Sequence, residues 1–227
     1  MGRGVEATVR CRRGALESSL PGSAGGRDFK RDMCAQSLLL DSCCGPCALV
    51  AQRALDLAVP DTRYLFYNPN VHPFREYRRR LESFEELMNR TGSEFTVLAY
   101  EPEDWVRAVA FREESRCELC YRLRLRRAAD FATEHDIPSF TTTLFASPFQ
   151  DHGLLRLLGE SVARSRGLHF VVWDGRAAYR ETLAEARELG MYTQPYCGCL
   201  FSERERYDRA FRERMRARGV YPHEGEG

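Results

Sequence analysis

Lysine is almost missing from this chain of 227 residues: Lys30 is the only one, and the rest of the 34 basic residues are arginine. Codon bias explains arginine in bulk, yet arginine is also the better phosphate-binding and base-stacking residue. Long apolar runs are missing too. Runs such as Ser37-Leu38-Leu39-Leu40 are strand-sized, far below the roughly 18–20 residues that span a bilayer. Net charge is nearly absent at +1, so no global field gathers a polyanion. There is no internal repeat and no G-x-G-x-x-G phosphate loop, and nothing in the chain suggests cobalamin or nicotinamide binding. The start, Met1-Gly2-Arg3-Gly4-Val5-Glu6, has no hydrophobic signal core, and Glu6 breaks the myristoylation pattern. The sequence therefore reads as cytosolic, with no membrane partner. At 43% hydrophobic and 30% charged, it is too apolar for a disordered chain and long enough for one proper core.

Cysteine is what the chain does have. There are nine: Cys11, Cys34, Cys43, Cys44, Cys47, Cys117, Cys120, Cys197 and Cys199. In a reducing compartment, clustered cysteines mean metal or redox chemistry more often than structural disulfides, and an odd total argues against a fully paired framework. Residues 1–36 read as a disordered extension rich in Gly, Ser and Pro, with Cys11 and Cys34 incidental. Residues 222–227 read as a tail. Between them, 37–221 reads as a single α/β metalloenzyme domain.

The pattern in that domain alternates. Strands are expected at Ser37–Asp41, Arg63–Tyr67, Glu94–Ala99, Ser139–Thr143 and His169–Trp173. Helices are expected at Pro46–Leu57, Phe74–Arg90, Pro102–Phe111, Cys117–His135, Asp151–Ser165, Ala177–Leu189 and Ser202–Arg218. Gly190 would end the sixth helix, and Ser202 with Glu205 would form a capping box at the start of the last. Alternation of this kind argues for βαβ units and a parallel sheet, whose ligands bind beyond the carboxyl ends of the strands. Cys43, Cys44 and Cys47 follow the first strand.

Three cysteine groups stand roughly 70 residues apart: Cys43-Cys44-Gly45-Pro46-Cys47, Cys117-Glu118-Leu119-Cys120 and Cys197-Gly198-Cys199. Cys117 and Cys120, one helical turn apart, can face one point, as zinc or iron–sulfur sites require. Adjacent Cys43 and Cys44 chelate one ion poorly but suit two corners of a cluster, so the 43/44/117/120 set fits a 4Fe-4S centre. Cys197 and Cys199 make either a readily reduced disulfide or a dithiolate for one metal, with Gly198 letting the backbone turn. The last helix points its positive end at them, which favours thiolate.

Leu38–Cys47, Tyr67-Asn68-Pro69-Asn70-Val71-His72-Pro73, Arg116–Arg124, Thr141–Pro148 and Tyr196–Ser202 come in that order, and together they closely resemble the cobalamin-independent epoxyqueuosine reductases of the QueH type over about 37–205. The resemblance implies a Rossmann-like parallel sheet related to nucleotide-binding α-hydrolases, with helical additions carrying the metal site. It also implies an iron–sulfur oxidoreductase that removes the epoxide oxygen from epoxyqueuosine at the wobble position of tRNA, the last step of queuosine formation, with an external electron donor. Carried over by motif, Cys43, Cys44, Cys117 and Cys120 are the cluster ligands. Cys197 and Cys199 are the catalytic redox pair or ligands of a second, mononuclear iron. Cys47 is either a third ligand of that iron or a core thiol at the helix start. Asp41 stands where many relatives are expected to have histidine.

Other residues carry two readings each. Asn68, Asn70 and His72 fit turn chemistry or substrate contact. Asp151 fits a helix cap. One hydroxyl of Thr141, Thr142 or Thr143 fits substrate contact, and Tyr121 and Tyr196 fit packing or base stacking. Arg116, Arg122, Arg124, Arg126 and Arg127 fit a solvated face or a phosphate track for RNA.

Overall fold

The structure, a computed structural model, describes residues 37–55 and 62–218. The extension at 1–36, with Cys11 and Cys34, and the tail at 222–227 lie outside the described residues. Five strands form one sheet: β1 (Leu38–Ser42), β2 (Thr62–Phe66), β3 (Phe95–Val97), β4 (Ser139–Thr142) and β5 (His169–Phe170). Their order is β3-β2-β1-β4-β5, and every pairing is parallel. The α/β expectation holds. β1 is central and buried along its whole length, which is why it reads as a continuous apolar run rather than an alternating one. Leu39, Leu40, Leu65, Phe66 and Phe140 are the inaccessible centre of the core.

Eight α-helices connect and flank the described strands: α1 (Gly45–Leu55), α2 (Phe74–Thr91), α3 (Pro102–Val109), α4 (Arg116–Glu134), α5 (His152–Arg164), α6 (Arg176–Glu188), α7 (Leu200–Tyr207) and α8 (Arg209–Ala217). Helix α1 packs against α2 and α6, while α4 packs on β1, β4 and α5. Among the described residues, no helix is long and apolar enough to cross a membrane.

Three expected elements differ, the first being the third strand, which is Phe95–Val97 rather than Glu94–Ala99. The fifth strand ends at Phe170 rather than Trp173. After Val171 N–H donates to Phe140 O at 2.9 Å, β4 turns into a 3₁₀ turn at Thr143–Ala146 and offers no further ladder. The single last helix is two. Asp208 adopts an extended conformation, and its Oδ1 accepts the Phe211 N–H at 2.9 Å, starting α8 afresh.

Helix α1 begins against α2 with almost no clearance. A Cβ on Gly45 would lie 2.4 Å from Ser83 O, a backbone atom. The glycine thus sets the height at which the first turn of α1 follows β1. Gly45→Ala is expected to destabilise the fold by about 1–3 kcal/mol through overpacking, read as a lower midpoint in denaturant unfolding. An unchanged midpoint would mean that α2 yields freely there.

Candidate metal centre

After β1 the chain moves to one side of the sheet, and after β4 to the other. That divergence leaves a crevice at the carboxyl ends of the two strands. Cys43 stands in it: its N–H donates to Thr143 Oγ1 at 3.0 Å, tying the two strand ends together. As the chain turns into α1, Cys43, Cys44 and Cys47 bring their three Sγ atoms within 4.8 Å of one another. The Cys43 and Cys44 sulfurs are 3.7 Å apart. Hydrogen bonds from Cys43 and Cys47 hold the Cys44 thiol well below its usual range. The same sharing pushes Cys43 up to about 11 and Cys47 well up. The shared hydrogen bonds of the trio thus favour thiolate on Cys44 over its two neighbours. The start of a helix favours thiolate, but at Cys47 the two sulfur neighbours outweigh it.

The second thiol pair caps α7. Cys197 and Cys199 have sulfurs 3.7 Å apart. The Ser202 hydroxyl lies 3.0 Å from Cys197 Sγ, and the Ser202 N–H donates to Cys199 Sγ at 3.4 Å. Cys199, not Ser202, is the N-cap, and Glu205 pairs with Arg116 instead of closing a capping box. Cys197 drops to about 5, chiefly through its hydrogen bond with Cys199, helped by the Cys199 backbone, Ser202 and Arg80. Cys199 rises because the thiolate it hydrogen-bonds is Cys197. The helix end thus yields one thiolate, not two.

Cys117 and Cys120 begin α4. Loss of water around the sulfurs is the main reason they rise to about 11 and about 12, although Cys117 as a residue is exposed, and the charge on Cys197 raises both further. They therefore open toward Cys197. In the same pocket the Trp105 indole packs with Cys120, Cys197 and Cys199.

Two buried cations stand among these sulfurs. Arg124 is 1% exposed and Asp41 is fully buried; they pair at 2.7 Å, and Thr142 donates a second hydrogen bond to Asp41 Oδ2 at 2.8 Å. The charge on Arg124 lowers both Cys43 and Cys120. Arg80, also 1% exposed, pairs with Glu76 at 2.7 Å. It donates to Cys197 O at 2.7 Å and Tyr196 O at 3.2 Å, and its charge favours thiolate at Cys44 and Cys197. Gly198 is wedged against this guanidinium: at φ 119° a Cβ there would meet Arg80 Nη1 at 2.8 Å. Gln194 Nε2 donates to Cys44 Sγ at 3.5 Å.

Several buried polar atoms around the sulfurs have no partner: Asn68 Oδ1, Asn70 Oδ1, both His72 ring nitrogens, Arg124 Nε and Gln194 Oε1. Each such atom costs about 1–3 kcal/mol unless a guest supplies the missing partner. Together with the sulfur donors, this fits an iron–sulfur group. His72 is held there by its backbone N–H, which donates to Gly198 O at 2.8 Å, and by its ring on Trp105 at 4.9 Å.

Some sequence expectations give way. Arg124 and Arg116 are buried and ion-paired, Arg122 pairs with Glu118, and Arg127 pairs with Glu134. Arg116 and Arg124 are therefore internal partners, while Arg126 is exposed and Arg122 and Arg127 keep partly exposed positions in their pairs. The hydroxyls of Thr141, Thr142 and Thr143 are engaged with Val171 O, Asp41 and the Cys43 N–H, and so hold the framework. Tyr121 packs and donates to Gln150 Oε1 at 2.9 Å, and Asp151 caps α5 as expected. Arg80 and Glu76 were missed. The signal was present, because both interrupt the apolar stripe of Tyr77, Leu81, Phe84 and Leu87.

Comparison with known proteins gives one consistent answer. The family model described as "Epoxyqueuosine reductase QueH" matches residues 38–205. A protein of that name from Dehalococcoides mccartyi is 33% identical over 174 residues, covering 76% of this chain and 96% of that one. Its counterpart from Thermotoga maritima is 33% identical over 183 residues, covering 76% and 93%. Among solved structures, the U34-tRNA thiolase NcsA from Methanococcus maripaludis, determined with its [4Fe-4S] cluster, superposes with a TM-score of 0.50 at 13% identity. The match covers 86% of this chain and 77% of that one, and establishes the fold.

Two predictions follow from the charges. In the metal-free chain at pH 7, iodoacetamide should modify Cys197 ahead of Cys117 and Cys120. The lowered thiol is ionised at neutral pH, and its rate should fall only as pH drops through about 5. Mass mapping that finds Cys117 first would refute the assignment. Asp41→Ala should cost about 3–5 kcal/mol, because it strands the buried Arg124 charge. Urea unfolding reads the loss, and a cost under about 1 kcal/mol would mean that water replaces the carboxylate.

Proposed function

The chain belongs to the epoxyqueuosine reductase QueH family, and we propose that it reduces epoxyqueuosine to queuosine at the wobble position of tRNA. The observation that carries this beyond family membership is the thiol-lined crevice with its partnerless polar atoms. We assign Cys43, Cys44, Cys117 and Cys120 as the ligands of a [4Fe-4S] cluster and residues 37–221 as the catalytic domain. Such a cluster supplies electrons one at a time. Converting an epoxide to an alkene takes two electrons and two protons and releases the oxygen as water.

The chain's own residues account for the rest. Cys197 and Cys199, with sulfurs 3.7 Å apart, are suited to give up two electrons and the single proton on Cys199 on closing to a disulfide, the second proton of the reaction coming from solvent, and an external donor then reopens the bond. Arg80 fixes the backbone of that pair by accepting no proton itself and donating to Cys197 O and Tyr196 O. Asn68, Asn70 and His72 line the crevice with acceptors and a donor for the flipped base. A mononuclear iron on Cys197, Cys199 and Cys47 is the rival reading. The place of Cys47 beside Cys43 and Cys44 supports the dithiol instead. The many reduced thiols fit a cytoplasmic setting, and the reaction as written needs no cobalamin.

The experiment is anaerobic reconstitution followed by turnover on tRNA carrying epoxyqueuosine. Cys44→Ala or Cys117→Ala should lower iron and sulfide content and abolish turnover. Cys197→Ala or Cys199→Ala should leave the cluster spectrum largely intact and abolish turnover. A full cluster in the first variants would refute the ligand set. Loss of the cluster in the second would make those thiols ligands, and near-normal turnover there would make the pair structural.

A further inference from the structure

Helix α4 buries Arg116 and Arg124 and pairs Arg122 and Arg127 with carboxylates, leaving Arg126 exposed; a denser cationic surface beside the thiol crevice lies on α7 and α8. Between Glu203 and Arg218 there are seven arginines and four carboxylates in a chain whose net charge is only +1. The carboxylates are largely spoken for. Glu205 pairs with Arg116, Asp208 with Arg204 and Glu213 with Arg209. Arg206, Arg212, Arg214 and Arg218 form no ion pair among the described residues, and Arg206, Arg214 and Arg218 are exposed.

These cations are arranged relative to the site. Helix α7 starts on Cys199, so its first turn is part of the thiol pocket. Tyr207, at its far end and 66% exposed, meets Tyr196 edge-on at 6.3 Å, one residue from Cys197. Helix α8 packs chiefly on α7. Phe211 lies under Arg204 at 4.0 Å and Arg214 at 5.9 Å, and so orders guanidinium groups of both helices around one ring. Arginines held this way lose less side-chain freedom on binding an anion. The stretch matched by the family model ends at 205, so α8 lies beyond that stretch.

We propose that α8, with the end of α7, is a phosphate-gripping arm that holds the backbone of the substrate tRNA while the modified base occupies the thiol crevice. The inference rests on the tRNA reading above. Charge complementarity selects the partner: a set of arginines without ion pairs among the described residues fits a polyanion, and RNA backbone is the polyanion that the neighbouring crevice brings with it. The grip is independent of sequence, so it raises affinity for any tRNA and leaves the choice of modified base to the crevice.

The test is the salt dependence of binding to an unmodified tRNA transcript, which needs no turnover. In the full-length protein, Arg212→Gln, Arg214→Gln and Arg218→Gln combined should lower the slope of log K against log salt by about 2, at roughly 0.7–0.9 per lost phosphate contact. Iron content and turnover at saturating substrate should stay at wild-type values. A control triple on arginines elsewhere, Arg63→Gln, Arg78→Gln and Arg90→Gln, should leave the slope unchanged. An unchanged slope in the arm variant, or an equal fall in the control, overturns the arm. Wild-type protein that binds transcript with the expected slope but never converts epoxyqueuosine would overturn the catalytic reading and leave the arm standing.

Discussion

A pocket lined by sulfur that ionises is a concentration of negative charge in a medium that screens it poorly. This fold answers with two arginines that are almost wholly inaccessible. Arg124 and Arg80 come from different helices on different sides of the crevice, and each is neutralised from behind by its own carboxylate, Asp41 and Glu76. The surplus field of each guanidinium reaches the thiols: Cys43 and Cys120 from one, Cys44 and Cys197 from the other. Breaking either pair would leave an uncompensated charge in the core, which is costlier than never having buried one. The ion pairs are thus at once the structural pins of β1 and α2 and the electrostatic background of the chemistry.

The same two pairs explain what sequence reading caught and missed. The thiol motifs were legible because their spacing is local: Cys117 and Cys120 are one turn apart, and Cys197-Gly198-Cys199 announces a tight turn. The parallel sheet was legible from alternating apolar runs, and its switch point fell where the cysteines fell. The fate of Arg124 was not legible, since nothing near it in sequence says that Asp41, 83 positions away, is waiting for it. Charged residues on a helix are read as solvated unless they interrupt an apolar stripe, and Arg80 does interrupt one.

The α7 start teaches a second lesson of that kind. Ser202 followed by Glu205 satisfies a capping-box pattern, yet a cysteine takes the cap and Glu205 reaches across to Arg116. Local propensity lost to a tertiary partner, and it lost at the site, where local rules are most often traded for function. The split of the last helix at Asp208 has the same character. A side chain able to cap a new helix did so, and the result is a separate basic element rather than a continuation.

The trio at the β1–α1 turn has a further consequence for how the protein is made. Cys43, Cys44 and Cys47 lie within five consecutive positions, so bringing them together closes almost no loop and costs little chain entropy. The other two thiol pairs must be delivered by segments emerging some 70 and 150 residues later. During synthesis, once β1 and α1 have left the ribosome, this three-sulfur nest requires only the chain already present. Assembly of this sulfur group is therefore not obliged to wait for the finished fold: it is available early, and the later segments close over it.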